Sequence, residues 1–330
     1  MPDLSVVIPV RDEAGHLPRT IDALLASLEA SGFDAELVLV DDGSHDGSAE
    51  AARSTADGRV PLRVVRREGE GRFAARLAGL EAAEGELVLL LDARVRLDPT
   101  ALSFLYERAA AGETVWNGHV HVDDASVFGA FWALLAELAW RDYFDAPRTT
   151  SFGVEDFDRF PKGTTCFLAP RELLIGAFSA FATRYRDIRL ANDDTPILRS
   201  VASQTRIGIS PRFACHYAPR TTLGRFLRHA VHRGTVFVDG HGRPESRFFP
   251  AVVAFFPLSA ALAAAAARRP ALAPAAAAAC GLAAAAYGVR AGRSRREVLV
   301  LASVTPVYAL GHALGMWRGA FELVRGSAAP

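Results

Sequence analysis

The stretch Glu36-Leu-Val-Leu-Val-Asp-Asp-Gly-Ser-His-Asp-Gly-Ser48 decides the fold. Leu37 to Val40 is a short aliphatic run without charge, the composition of a strand covered on both faces, as in a parallel sheet. Asp41 and Asp42 follow at its carboxyl end, and in open α/β sheets that edge is where ligands bind. Gly43 and Gly47 permit sharp turns, and Ser44 or Ser48 is placed to cap a helix starting near Ala49. Taken alone, Asp-Asp-Gly-Ser is also ordinary turn chemistry.

The flanking sequence repeats the pattern. Leu4 to Ile8 reads as a strand ended by Pro9 and followed by Arg11, Asp12 and Glu13. Leu17, Ile21, Leu24, Leu25 and Leu28 recur at helical spacing. Leu62 to Val65 is a third strand, Phe73 to Ala83 a helix, and Glu86-Leu-Val-Leu-Leu-Leu-Asp92 a fourth strand that again delivers an aspartate at its end. Regular alternation of this kind predicts an α/β, doubly wound, mostly parallel sheet with flanking helices. All the strand-end carboxylates then open onto one edge.

Four segments in order, Ser5-Val-Val-Ile-Pro-Val-Arg-Asp-Glu13, Val38-Leu-Val-Asp-Asp-Gly-Ser44, Gly71-Arg-Phe-Ala-Ala-Arg-Leu-Ala-Gly79 and Leu89-Leu-Leu-Asp92, together resemble the family 2 glycosyltransferases with the Rossmann-like GT-A fold. The resemblance spans roughly the first 235 residues, and the ordered combination is far more specific than any single motif. It implies an inverting enzyme that moves a sugar from a nucleotide diphosphate sugar to an acceptor. It further implies that Pro9, Arg11, Glu13, Asp41 and Asp42 line the nucleotide, with Arg76 beside it, since a planar guanidinium matches phosphate or a base edge. Arg76 also reads as a solvated helix charge.

One motif departs from the family. Its Asp-x-Asp holds a divalent cation against the diphosphate, whereas this chain reads Asp92-Ala93-Arg94. An arginine cannot ligate a metal. Asp92 then supplies one hard oxygen to Mg²⁺ or Mn²⁺, or Arg94 itself offsets the diphosphate charge. His216 is a candidate additional ligand and equally a structural histidine. Asp98-Pro99, before an apolar run, reads as a helix N-cap.

Further along, Trp116-Asn-Gly-His-Val-His-Val122 alternates as a strand with His119 and His121 on one face, followed by an aromatic helix from Val127 to about Phe144. Two histidines without a third clustered ligand read as a partly exposed strand face rather than a metal site. Lys162-Gly-Thr-Thr-Cys-Phe-Leu168 resembles the family's acceptor-side loop and strand, and Asp193-Asp194 takes the place of its Glu-Asp motif. There the resemblance implies a general base for the acceptor hydroxyl, Asp194 before Asp193; the plain alternative is an acidic helix cap. Arg225-Phe-Leu-Arg-His-Ala-Val-His-Arg-Gly234 resembles the family's arginine-rich helix, which makes Arg233 a diphosphate candidate and the helix a membrane-surface candidate. The processive synthases' Gln-x-x-Arg-Trp motif is absent, which favours transfer of a single sugar.

Composition sets the outer limits. The 330 residues carry 37 basic and 37 acidic side chains, without the basic excess of a nucleic-acid binder. Cys166, Cys215 and Cys280 are widely spaced, indicating neither a zinc site nor a disulfide framework. Met1 to Val10 does not read as a signal peptide. Phe248 to Ala267, Ala271 to Val289 and Val298 to Trp317 are uncharged runs near the ~20 residues that span a bilayer. The expected division is therefore a catalytic domain over 1–245 and a membrane domain over 246–330 with about three transmembrane helices. Arg290, Arg293, Arg295 and Arg296 between the last two runs place that loop, and with it the catalytic domain, on the cytosolic side of the plasma membrane. The partners that follow are a nucleotide diphosphate sugar, a lipid-linked or glycan acceptor, and the membrane. A nucleotidyltransferase lacks support, because its glycine- and lysine-rich phosphate loop is missing from Pro9 to His16; a non-catalytic nucleotide-binding scaffold stays open.

Overall fold

The structure, a computed structural model, describes residues 1–327 except 245 and 247. Glu245, where the division between catalytic and membrane parts is expected, lies outside the described residues. The alternation read from the sequence appears as β1 (Leu4–Val10), α1 (Leu17–Glu29), β2 (Ala35–Asp41), α2 (Ser48–Ala56), β3 (Leu62–Arg66), α3 (Arg72–Ala82) and β4 (Leu87–Leu91). Next come β5 (Val95–Leu97), α4 (Ala101–Ala110), β6 (Trp116–Val122), α5 (Val127–Ala139), α6 (Arg141–Phe144), β7 (Thr150–Phe152), β8 (Cys166–Pro170), α7 (Arg171–Ser179), α8 (Asp194–Ala202), β9 (Ile207–Tyr217) and α9 (Leu223–His241). The chain continues through α10 (Phe249–Arg268), α11 (Leu272–Arg290) and α12 (Arg295–Ser327).

Two compact units result. The first comprises Met1–Val122, Trp140–Phe181 and Asp193–Ala218 and holds the whole sheet, in the order β3-β2-β1-β4-β8-β6-β9-β5 with β7 paired to β9. β3, β2, β1 and β4 run parallel, as the alternation predicts. Beyond β4 the sheet is mixed: β8 is antiparallel to β4 and β6, whereas β9 is parallel to β6 and antiparallel to β5. One face carries the main core, in which Val6, Ile8, Leu37, Leu39, Leu89 and Leu91 meet the apolar stripe of α1. The opposite face receives α3, whose Gly79 lies against Val7 and Val40.

Local chemistry overrules the sequence at two places. The aromatic helix is two helices, because Trp140 leaves the helical region at φ −123°, ψ 46°. Thr100, not Asp98, stands at the N-cap of α4, and no side chain caps it. The Asp98 carboxylate turns instead to His216 Nε2, 3.3 Å away.

The second unit comprises Asp123–Ala139, Ala182–Asn192 and the chain from Pro219 onward. Its α9 and α12 touch backbone to backbone: a Cβ at Gly234 would stand 2.0 Å from the His312 carbonyl oxygen, and one at Gly315 2.0 Å from that of Val231. Only residues without a side chain allow that approach. α5 flanks α12 as well, through Phe131 and Trp132 against Tyr308, and its Glu137 accepts from Arg293 Nη1, in the turn before α12, at 2.5 Å. Phe249–Arg268, Leu272–Arg290 and Arg295–Arg325 are long and apolar enough to cross a membrane.

Candidate active site

At the carboxyl edge of the parallel strands, two loops are sewn together. The turn after β2 needs left-handed backbone at Gly43 (φ 78°) and Gly47 (φ 81°), conformations that cost glycine little. Ser44 Oγ accepts from the Asp12 amide (3.1 Å), Ser48 Oγ from that of Glu13 (3.0 Å) and Asp46 Oδ2 from that of Ala14 (2.8 Å). In return Asp12 accepts from the His45 amide at 2.8 Å. Burial pushes the Asp46 carboxyl up, but the hydrogen bonds from Ser48 and the Ala14 amide outweigh it and hold the group below its ordinary value. Asp41 accepts from the Ser44 amide (2.9 Å), and Asp42 accepts from the amides of Glu70 (2.7 Å) and Gly71 (2.8 Å). Asp42 therefore fixes the loop that leads into α3.

That loop launches the centre of the site. Arg76 is 1% exposed and meets three carboxylates at once: Nη2 donates to Asp92 Oδ1 (2.8 Å), and Nη1 to Asp193 Oδ2 (3.2 Å) and Asp194 Oδ1 (3.3 Å). Arg72, one turn earlier on the same helix face, grips Asp193 with Nη2 at 2.6 Å and Nε at 3.4 Å. The Asp193 carboxylate pushes the Arg72 guanidinium above its ordinary pKa. Thr164 Oγ1 donates to Asp194 Oδ1, and the Asp92 amide bonds the Thr165 carbonyl at 2.9 Å. Asp193 holds the N-cap position of α8 yet makes no capping bond, so the acidic-cap reading fails for its side chain. Asp193 is 3% exposed by side chain, Asp92 24% and Asp194 34%. Arg76 is thus neither a solvated helix charge nor poised toward open space; it is a shared counter-charge.

The other expected residues are dispersed. Arg94 is buried, with Nε on Glu13 Oε1 at 2.7 Å and Nη1 on the Ala218 carbonyl at 3.3 Å. Arg11 is exposed and lies against the backbone of Gly69, and Pro9 sits inside β1 opposite Val40. Arg233 belongs to the second unit, its guanidinium 5.7 Å from the Trp132 ring centroid. Arg72 and Thr164 are missing from the sequence reading. The spacing of Arg72 from Arg76 was the available signal for the first; Thr164 gave none beyond its glycine-containing loop.

The sequence profile of Glycosyl transferase family 2 matches residues 5–172, just over half of the 330 residues. The chain belongs to glycosyl transferase family 2. An undecaprenyl-phosphate 4-deoxy-4-formamido-L-arabinose transferase of Pseudomonas paraeruginosa is 42% identical over 114 residues, covering 34% of this chain and 34% of that protein. The enzyme of the same description from Shewanella sediminis is 34% identical over 128 residues, covering 38% of each. The match thus takes in about a third of these relatives' length. In fold, the family 2 chain is similar to a mannosyltransferase from Pyrobaculum calidifontis solved in complex with GDP-Man and Mn²⁺, with a TM-score of 0.52, 21% identity, and coverage of 93% of this chain and 88% of that one.

The residues of this family 2 protein do not by themselves assemble a divalent-metal site. Asp92 is already paired with Arg76, the second place of the Asp-x-Asp motif holds the buried Arg94, and His216 faces Asp98. Among the described residues no group of three or more His, Cys, Asp or Glu side chains is arranged to hold a metal ion.

Proposed function

We propose that this chain is an inverting glycosyltransferase that moves one sugar from a nucleotide diphosphate donor to the hydroxyl or phosphate of a lipid-linked acceptor. One observation carries the reading: Asp92, at the end of a donor-side strand, and Asp193-Asp194, at the start of α8, are drawn to a single arginine on one edge of the sheet. The name shared by the relatives, with its undecaprenyl phosphate, supports a lipid phosphate acceptor. GDP-Man in the Pyrobaculum structure supports a nucleotide-sugar donor. Asp193 is buried between two guanidiniums and serves as an anchor. Asp194, the more exposed carboxylate, takes the acceptor's proton, and Asp41, Asp42, Arg11, Glu13 and Arg94 frame the donor side. We assign catalysis to 1–245 and membrane attachment to 246–330.

The test is Asp194→Asn, which keeps the shape and removes proton acceptance. At a pH of about 5.5 an acceptor hydroxyl is protonated, and so is a phosphate monoester, whose second ionisation lies near 6. Donor affinity is expected to persist while single-turnover rate falls by about 10² to 10⁴. Turnover equal to that of the unaltered protein under those conditions removes Asp194 as the base.

The same proposal places the protein at the cytosolic face of the plasma membrane, with α10 and α11 crossing as a hairpin. α12, though apolar enough to cross, is flanked by α5 and α9, and the glycine contacts hold its Gly311 to Gly319 stretch at the level of Ala230 to Thr235. α9 also carries Arg225, Arg228, Arg233 and Asp239, charges that the bilayer interior disfavours. α12 also meets α11 closely, a Cβ at Gly281 standing 2.5 Å from the Ala302 carbonyl oxygen, so its depth follows from neither contact alone; the charges of α9 are the ground on which we place α12 with it on the cytosolic side.

A further inference from the structure

The site's face of the sheet continues past Asp92 into a row of basic side chains. His121 on β6 is in register with His216 on β9, and His216 with Arg96 on β5. The two rings stack with centroids 5.3 Å apart, and His119 follows at 4.5 Å from His121. These residues alternate along their strands with Val120, Cys215, Tyr217, Val95 and Leu97, which pack with the core on the other face. Asp92 follows Leu90 on the face that receives α3, so the carboxylate–arginine cluster and the basic row look the same way. The chain direction of β6 and β9 brings His121 and His216 to the carboxyl edge as well.

From the structure we infer that His121, His216 and Arg96 form the subsite for the phosphate of the acceptor, a phosphate monoester of a long-chain lipid alcohol. The inference rests on the transferase reading above. Arg96 follows Asp92 by only four residues, across a turn closed by the Val95 amide on the Asp92 carbonyl, and His121 stands two strand spacings from Asp92, roughly 10 Å away. A donor diphosphate beside Asp92 with its sugar pointing along the edge therefore presents that sugar to a phosphate held at the row. His121 is exposed and the His216 side chain is 44% exposed, so both are reachable. Asp98, 3.3 Å from His216 Nε2, is the carboxylate in contact with that ring and orients it. The inner member, His119, is 3% exposed and bonds Tyr143 Oη at 2.9 Å. Burial, and next the neighbouring His121, bring its pKa down to about 4, so it stays neutral and serves as a spacer. The rings stack rather than converge on a point, and no metal-holding group exists among the described residues, which leaves an anion as the ligand the row suits.

The experiment measures transfer to farnesyl phosphate and to farnesol by the full chain in detergent, with inorganic phosphate as competitor. Nucleotide diphosphate affinity is followed by calorimetry in every variant. His121→Gln and His216→Gln are each expected to raise KM for farnesyl phosphate about tenfold, as for a lost charge-assisted hydrogen bond, with kcat and donor affinity unchanged. His121→Lys, which places a cation at the same register position, is expected to recover most of the loss. Inorganic phosphate should compete with farnesyl phosphate in the unaltered protein and less well in the Gln variants. Unchanged KM in both Gln variants, farnesol used as well as farnesyl phosphate, or no competition by inorganic phosphate would each overturn the subsite while leaving the donor site standing. Absence of nucleotide diphosphate binding by the unaltered protein would instead sink the transferase reading.

Discussion

Replacing Arg76 by Met keeps the length of the side chain and removes the charge that three carboxylates share. Asp193 would retain Arg72 alone, Asp92 would lose its 2.8 Å donor, and Asp194 would keep Thr164. Breaking a buried pair from one side costs about 3 to 5 kcal/mol, because it leaves uncompensated charge behind. Arg72→Met is milder. Its side chain is 43% exposed, and Asp193 would still have Arg76 at 3.2 Å, so about 1 to 2 kcal/mol is expected. At about 2 to 4 °C per kcal/mol for a cooperative unit the size of the first one, Arg76→Met should lower its unfolding midpoint by roughly 10 °C, and Arg72→Met by a few degrees. The assay is tryptophan fluorescence against temperature in detergent, with the half-life at fixed temperature if unfolding is irreversible. Adding Asp193→Asn to Arg76→Met removes a charge of each sign and should recover part of the loss, which also covers the case in which the single variant yields little folded protein. Equal midpoints for Arg76→Met and Arg72→Met, with no recovery in the double variant, would refute the shared counter-charge.

Other expectations follow from particular contacts. Asp42→Ala frees the amides of Glu70 and Gly71, so nucleotide diphosphate affinity measured by calorimetry should weaken by about 1 to 3 kcal/mol; unchanged affinity in folded protein excludes a role for that loop in donor binding. His119 is held near 4 against an ordinary 6.5, so unfolding takes up a proton between those values. Stability is fully present above pH 6.5 and is lost as pH falls toward 4, by about 3 kcal/mol more than in His119→Gln, as read from midpoints across that range. A reporter fused after α12 should read the cytosolic side, and one inserted at Pro270 between α10 and α11 the outer side. An outward reading after α12 would show that it crosses.

The parallel half of the sheet was legible because each strand ends in its own chemistry: Val40 runs into Asp41, and Leu91 into Asp92. The mixed half was not. A run such as Cys166 to Pro170 carries no mark of direction, and only its pairing with β4 makes it antiparallel. The motifs singled out Arg76, Asp92, Asp193 and Asp194, each for a separate role, and said nothing about which would bind which; the structure brings them together. Arg76 is separated from Asp193 by 117 positions, and the nucleotide role expected for it competes with bonds that only the folded chain reveals. Asp98 misled for a local reason, since Asp-Pro before an apolar run is good capping chemistry whether or not a histidine waits across the sheet. His119 and His121 were rightly put on one face. That His216 completes the row required the β6–β9 register, which joins residues 95 positions apart (216 − 121).

The backbone contact between α9 and α12 also sets an order of events during synthesis. α9 leaves the ribosome before its glycine-lined partner exists, because the whole of α10 and α11 must be made in between. During that interval Gly234 and its neighbours have nothing to close against, and the two apolar helices that emerge next seek the bilayer. If α10 and α11 cross the bilayer as proposed, completion of the second unit comes after arrival at the membrane. Delivery and final folding would then be a single timed step, and a chain released early would carry an unfinished helix pair.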